Sequence, residues 1–174
     1  KFVGIMNNIL IIQARLGSKR FRNKVIRKIN QNTLIEILLK RISKSPLYKV
    51  VVAIPDTIEN DKLFKILKKK EIEVFKGDEN DVLSRYYYAA KYYKAENIIR
   101  ITADCPLLDK NIINKFLKHF IENKFDYLSN TLQPTFPDGF DIEIFRFKIL
   151  NIAFKNSKNM FDREHVTSYF SKIK

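Results

Sequence analysis

Four short runs of apolar, mostly β-branched residues recur along the chain, at Ile9 to Ala14, Lys49 to Ile54, Ile72 to Phe75 and Asn97 to Thr102. Each has the length of a strand, and a segment of helical length and amphipathic pattern follows the last three directly and the first after a basic stretch. Runs that are continuously apolar, rather than alternating, belong to strands covered on both faces, and such strands are usually parallel. The intervening segments supply the covering helices. Thr33-x-x-Glu36 is a capping-box pattern that opens a helix to about Ser45. Leu63, Ile66 and Leu67 mark a second helix to about Lys70, and a third runs from about Asn80 to Lys94. Asp109 caps a fourth, with Ile112, Ile113, Phe116, Leu117 and Phe120 at helical spacing. Tyr127 to Asn130 reads as a further short strand, and Phe140 to Phe145, "FDIEIF", alternates as a strand with one polar face. Helices at about Phe147 to Asn156 and Asp162 to Ser171 complete the pattern. The expectation is an α/β fold, three layers around a mostly parallel central sheet, with all 174 residues in one domain.

That architecture gives function an address, because ligands of open α/β sheets bind beyond the carboxyl ends of the strands. The segments to inspect are those after Ala14, Pro55, Phe75 and Thr102, and the loop from Asn130 to Gly139. Other classes of function recede. A lone cysteine, Cys105, forms no internal disulfide, and two histidines, His119 and His165, are too few for a four-ligand Cys/His zinc site. Apolar runs stay far below the roughly 18 residues that cross a bilayer, and no signal-peptide pattern opens the chain. A cytoplasmic protein with no membrane partner is expected. The residues ahead of Met6 carry no weight in this reading.

The formal charge of +14 invites a nucleic-acid partner. However, 24 Lys, 24 Ile and 15 Asn are the mixture an AT-rich coding sequence produces, so total charge is weak evidence. Lys68, Lys69 and Lys70 suit the end of a helix. Distribution is more informative: Lys1 to Ile35 holds eight basic residues and no acidic one, whereas carboxylates gather at Asp78, Glu79 and Asp81, and at Asp138, Asp141 and Glu143.

Of four glycines, Gly17, Gly77 and Gly139 fall in the strand-end loops. Around Gly17 and Ser18, a turn can present backbone N–H groups to an anion while Arg15, Arg20 and Lys24 converge on a polyphosphate. Neither a Walker A loop nor a dinucleotide fingerprint is present, and on composition alone a solvated basic loop is the better reading. Asp104, directly after a buried strand, is placed either to hold Mg²⁺ with substrate phosphates or to cap a turn. Asp141 and Glu143, two apart on a strand, would share a face and either complete a metal site or face solvent. Cys105 reads as a packed residue, and His165 as structural. The tyrosines from Tyr86 to Tyr93 have the spacing of core or interface packing.

Five ordered stretches, "IIQARLGSKRFRNKVI", "VFKGDENDVLSRYYYAA", "RITADCPLLD", "YLSNTLQPTFPDGFDIEIF" and "REHVTSYF", together resemble the cytidylyltransferase family of spore coat polysaccharide biosynthesis protein F. That family is related to synthetases of CMP-activated keto-deoxy-octulosonate and CMP-sialic acid. The resemblance covers Ile9 to Phe170. It implies a Rossmann-like nucleotidyltransferase fold of the glycosyltransferase-A type. The implied reaction is transfer of CMP from CTP to a small-molecule acceptor, a sugar or sugar acid for cell-surface polysaccharide, with Mg²⁺ required and pyrophosphate released. On this resemblance Ala14, Arg15, Gly17, Ser18, Arg20 and Lys24 hold CTP, with Arg15, Lys24 and Asp104 catalytic. Gly77, Asp81 and Arg85 lie near the base, Asp104 binds metal with Asp141 or Glu143, and Asn130, Asp138 and His165 face the acceptor.

Two departures stand out. Relatives read Arg-Leu-Pro-Gly-Lys where this chain has Arg20, Phe21, Arg22, Asn23 and Lys24, so the Pro-Gly turn that aims the lysine is lost, and Asn23 is a residue that tolerates left-handed backbone in the glycine's place. Relatives also continue past "REHVTSYF", so the C-terminal part of the family domain is expected to be absent here, and a homodimer is a further expectation. The rival readings are a sugar-nucleotide-dependent glycosyltransferase, which lacks its Asp-x-Asp motif at Asp104-Cys105-Pro106, and a basic nucleic-acid-binding module.

Overall fold

Strand β1, Asn8–Gln13, occupies the middle of the sheet and is sealed on both sides, with Ile9, Leu10, Ile11 and Ile12 fully buried. A computed structural model of the chain describes residues 7–17, 21–134 and 136–173. After β1 come a small hairpin, β2 (Lys28–Ile29) and β3 (Asn32–Thr33), then α1 (Leu34–Ile42), β4 (Lys49–Pro55), α2 (Asp61–Lys68), β5 (Glu73–Gly77) and α3 (Val82–Tyr92). The remainder is β6 (Asn97–Thr102), α4 (Lys110–Glu122), β7 (Tyr127–Ser129), β8 (Glu143–Arg146), α5 (Phe147–Asn156) and α6 (Met160–His165).

Six strands form one sheet in the order β5-β4-β1-β6-β8-β7. The first four are mutually parallel, and β8 joins β6 and β7 antiparallel. Alternation along β1 divides the core: Leu10 and Ile12 point into the layer of α1, α2 and α4, while Ile9 and Ile11 pack against α3 and α5. Each such side chain contributes about 1.5–3 kcal/mol by leaving water.

The expected capping box is formed in full. The Thr33 hydroxyl accepts from the Glu36 backbone N–H, and the Glu36 carboxylate accepts from the Thr33 N–H at 2.8 Å. Three boundaries differ from the sequence reading, each for a local reason. Helix α1 stops at Ile42 rather than Ser45, because Ser45 precedes Pro46 and the residue before proline is disfavoured in α geometry. The expected strand from Phe140 begins only at Glu143, since residues 140–142 are bridged by an asparagine side chain instead of a ladder. The terminal helix expected to Ser171 ends at His165, where Val166 adopts φ 60°, and the chain resumes as a 3₁₀ turn at Phe170–Lys172. Among the described residues no helix is long and apolar enough to cross a membrane.

Hydrogen bonds from Thr33 hold the Glu36 carboxyl at a pKa of about 2, below its ordinary value of 4.5, with Lys70 assisting. A depressed carboxyl pKa stabilises the fold above the unfolded value and loses that contribution as pH falls through the folded one. Thr33→Ala is therefore expected to cost about 1 kcal/mol at neutral pH. In thermal melts, the gap between variant and parent should shrink as pH drops from about 4.5 towards 2.

Candidate functional site

At the carboxyl end of β1 the chain must leave the sheet through a turn, and two asparagines hold that turn open. The Leu16 N–H donates to Asn60 Oδ1 at 3.0 Å, and the Leu16 carbonyl accepts from the Asn23 N–H at 3.2 Å. Asn60 is 0% exposed, and its amide also donates to Thr57 at 2.8 Å. Asn23 takes φ 58° and ψ 24°, the left-handed conformation expected of it in place of glycine. Lys24 consequently points into the cleft, where its ammonium meets the Asp104 carboxylate at 2.7 Å. Ser18 and Arg20 lie outside the described residues.

A cleft of about 230 Å³ is lined by Gln13, Ala14, Arg15, Lys24, Thr102 and Asp104. It thus joins the ends of β1 and β6, which are register partners through Gln13 and Thr102. Burial opposes ionisation of Asp104, but the hydrogen bond from Lys24 and that from Thr102 hold its carboxyl below the usual range. Asp141 behaves in the opposite way. Burial and the charges of Asp138, Asp104 and Glu143 push its carboxyl up. Asp104 and Asp141 are oxygen donors of the kind Mg²⁺ prefers, usually one or two carboxylates beside substrate phosphates, so the donor set fits that ion. Among the described residues no three His, Cys, Asp or Glu side chains gather into a ready-made cage.

Beside the cleft, Gly77 ends β5 with no room for a side chain: a Cβ there would lie 3.1 Å from Arg85 Cγ. Arg85 is 1% exposed, and among the described residues none of its three guanidinium nitrogens has a hydrogen-bond partner. Burial lowers its pKa, and of the neighbouring groups Tyr86, Asp78 and Glu79 act to raise it while Arg15 lowers it further. A second, larger cavity of about 590 Å³ shares Thr102 with this cleft and is lined by Arg100, Tyr127, Asp141, His165 and Ser168 among others.

Three residues expected at the site do other work. Glu143 is 6% exposed and sits opposite Arg100 across the β6–β8 ladder. Arg100 donates to one of its carboxylate oxygens, and the Tyr127 hydroxyl donates to the other at 2.6 Å, so both oxygens of Glu143 already have partners within the chain. The Asp81 carboxylate caps α3 through the Ser84 N–H at 2.8 Å and accepts from Arg163. The Asn130 amide is likewise engaged within the chain. It donates to Phe140 O and accepts from Ile142 N, both at 2.8 Å, replacing the missing strand partner. Asp138 is exposed in the turn before Gly139, and His165 lines the larger cavity. Sequence reasoning missed Arg100 and Asn60. The charged Arg100 within "NIIRIT" was the available signal for the first; nothing local marked the second.

A family model described as cytidylyltransferase matches residues 9–174. Among curated proteins, an uncharacterised protein of Methanocaldococcus jannaschii is 41% identical over 94% of the chain and 67% of its own length. The spore coat polysaccharide biosynthesis protein SpsF of Bacillus subtilis is 35% identical over 70% of the chain, which spans about half (53%) of that relative. A cytidylyltransferase structure from Leptospira borgpetersenii superposes with a TM-score of 0.92 at 35% identity, covering 96% of this chain and 71% of that one. A CMP:2-keto-3-deoxy-manno-octonic acid synthetase complexed with CTP shares the fold, with a TM-score of 0.71 at 14% identity over 95% and 82% of the two chains. The chain belongs to the cytidylyltransferase family.

Removing the Asn60 amide leaves a buried Leu16 N–H without its partner, which costs about 1–3 kcal/mol. Asn60→Ala should lower the melting temperature and, by loosening the turn that carries Arg15 and Lys24, weaken nucleotide binding beyond the loss of stability. Isothermal titration well below the variant's melting temperature separates the two effects.

Proposed function

From membership of the cytidylyltransferase family, we propose that the chain transfers CMP from CTP to an oxygen of a sugar or sugar-acid acceptor. Pyrophosphate is released, and the product feeds cell-surface polysaccharide synthesis in the cytoplasm. The observation that carries this reading is Arg85. A fully buried guanidinium with unpartnered N–H groups is costly, and such a group persists where a ligand completes it. Cytosine presents two adjacent acceptors, O2 and N3, to a planar two-donor fork. Uracil carries a hydrogen on N3 and would leave one donor facing another. Gly77 lets the backbone of β5 pass close to the Arg85 stem, where a Cβ would lie 3.1 Å from Cγ.

The acceptor oxygen attacks the α-phosphorus in line, its bond to phosphorus forms as the bond to the β-phosphate oxygen breaks, and the acceptor's proton leaves to solvent. The side chains' task is to position the phosphates and offset their charge. Arg15 and Lys24 do this at the end of β1, together with Ser18 and Arg20. Asp104, with Asp141, would hold Mg²⁺, which when bound neutralises phosphate charge. The Lys24–Asp104 ion pair keeps both side chains aimed into the cleft while it is empty. The pair is more than a third exposed at both ends, so it contributes little to folding.

Arg85→Met separates function from folding. Replacing an unpaired buried charge with an apolar side chain of similar length should leave stability unchanged or raise it, while CTP binding falls at least about 100-fold. In thermal shift with Mg²⁺, CTP should stabilise the parent more than UTP, ATP or GTP does; equal shifts for all four would overturn the cytidine assignment. Asp104→Asn should fold normally, as an exposed pair predicts, and lose turnover by about 10²–10³-fold. Pyrophosphate release by that variant at the parental rate would remove Asp104 from the mechanism.

A further inference from the structure

On the premise that Arg85 reads the base, the aim of its guanidinium depends on how α3 begins. The Arg85 N–H donates to the Asp81 carbonyl at 3.2 Å, the first bond of the helix, and the Asp81 carboxylate caps the same turn through the Ser84 N–H. The turn ahead is closed by Asp78, whose carboxylate accepts from the Asn80 N–H at 2.8 Å and the Asp81 N–H at 2.7 Å. These contacts are local, and none of them ties the turn to another helix. Arg163 does. From α6, its Nε donates to Asp81 Oδ2 at 2.8 Å, with a second guanidinium nitrogen on the same oxygen, and the third donates to the Phe154 carbonyl at 2.9 Å. Phe154 lies in the last turn of α5, where carbonyls lack a partner within the helix. The guanidinium carbon also sits 5.0 Å from the centre of the Phe154 ring, and that ring stacks on Tyr87 of α3, with centroids 4.0 Å and planes 3° apart. Arg163 thus braces α3 twice, at its cap and, through Phe154, further along at Tyr87. Two attachments fix the tilt of a helix where one would leave a pivot.

The brace itself is held firmly. Asp162, next to Arg163, is 1% exposed, and its carboxylate accepts from the Asn159 amide, the Ser168 hydroxyl and the Lys172 ammonium, each at 2.7 Å. A shift of α6 would break bonds on both sides of it. Helix stability alone does not ask for this arrangement. A cation at a helix N-terminus opposes the macrodipole, and a serine, threonine or asparagine cap would satisfy the Ser84 N–H with no charge behind it. The two side chains are 20% and 24% exposed, so the cost of taking them from water offsets much of their attraction. What the pair adds is position. Arg85 has no hydrogen-bond partner among the described residues, so its direction is set by packing and by the place where its helix starts.

We propose that Arg163 is a positioning residue for recognition of the base: through Asp81 it fixes the start of α3, and thereby the direction in which Arg85 presents its donors. Isothermal titration of CTP and of UTP, each with Mg²⁺ and well below the melting temperature, gives the ratio of dissociation constants that reports base discrimination. Arg163→Met should lose about 10-fold of the parent's preference for CTP, through weaker CTP binding with UTP binding little changed. In the Arg85→Met background the same substitution should alter CTP affinity by no more than about 2-fold, because its route to the base is gone. Asp81→Asn is the second arm. Asparagine caps a helix as well as aspartate does, so α3 stays formed while Arg163 loses its charged partner, and the preference should fall likewise. This arm decides the matter if Arg163→Met does not fold. A lower melting temperature with the preference intact would make the pair structural only and overturn the proposal, and so would an equal loss of CTP affinity with Arg85 already replaced. The parent and Arg85→Met, titrated first, test the premise. If the parent does not prefer CTP, or Arg85→Met keeps the preference, the base reading fails and the positioning role falls with it. With the preference present in the parent and lost in Arg85→Met, failure in the Arg163 and Asp81 variants falls on the positioning role alone.

Discussion

Burial of β1 on both faces governs everything else. A strand with Ile9, Leu10, Ile11 and Ile12 at zero exposure has no polar side chain to offer along that run, so binding chemistry can only begin where it ends. The parallel arrangement of β5, β4, β1 and β6 then brings four carboxyl ends to one edge of the sheet. Arg15, Gly77 and Asp104 are far apart in sequence but follow three of those ends. The site is thus a consequence of strand direction before it is a consequence of any particular side chain.

What fixes the site's detail is a set of asparagines acting as backbone. Asn60 supplies a carbonyl to Leu16, Asn23 supplies a left-handed turn, and Asn130 supplies the donor and acceptor that a neighbouring strand would have given to residues 140–142. The chain has only four glycines, and at the helix ends it places Glu71, Lys94 and Lys124 at positive φ, where glycine is commonest. An L side chain in that region costs about 1–2 kcal/mol. A sequence short of glycine thus makes these turns with L side chains at that cost, and beside Lys24 it uses asparagine, which bears left-handed geometry best.

This explains which parts could be read from the sequence. Strands that are continuously apolar, the Thr33–Glu36 capping box and the Asp109 cap are local patterns, and local patterns are visible in one chain. For Asn23 the sequence left the turn open, and the left-handed backbone is seen only in the structure. The pairing of Glu143 was not legible, because its partner, Arg100, lies 43 residues away and the ladder that pairs them is a tertiary fact. The same holds for Asp81, whose partner Arg163 is 82 residues distant. In both cases one chain read in order does not show which basic residue meets a carboxylate.

The two buried arginines show how that ambiguity is resolved physically. Arg100 has a carboxylate opposite it, a tyrosine completing that carboxylate and an aromatic ring beneath it; its charge is matched, and its place is architectural. Arg85 is more deeply enclosed and has none of these. A folding-only account predicts that an unmatched buried guanidinium would be replaced by an apolar residue, because the replacement removes a desolvation cost and loses no contact. Its presence without a partner in the chain is what the proposed contact with the base accounts for. A buried arginine near a sheet's edge that the chain itself does not complete is thus a candidate ligand contact.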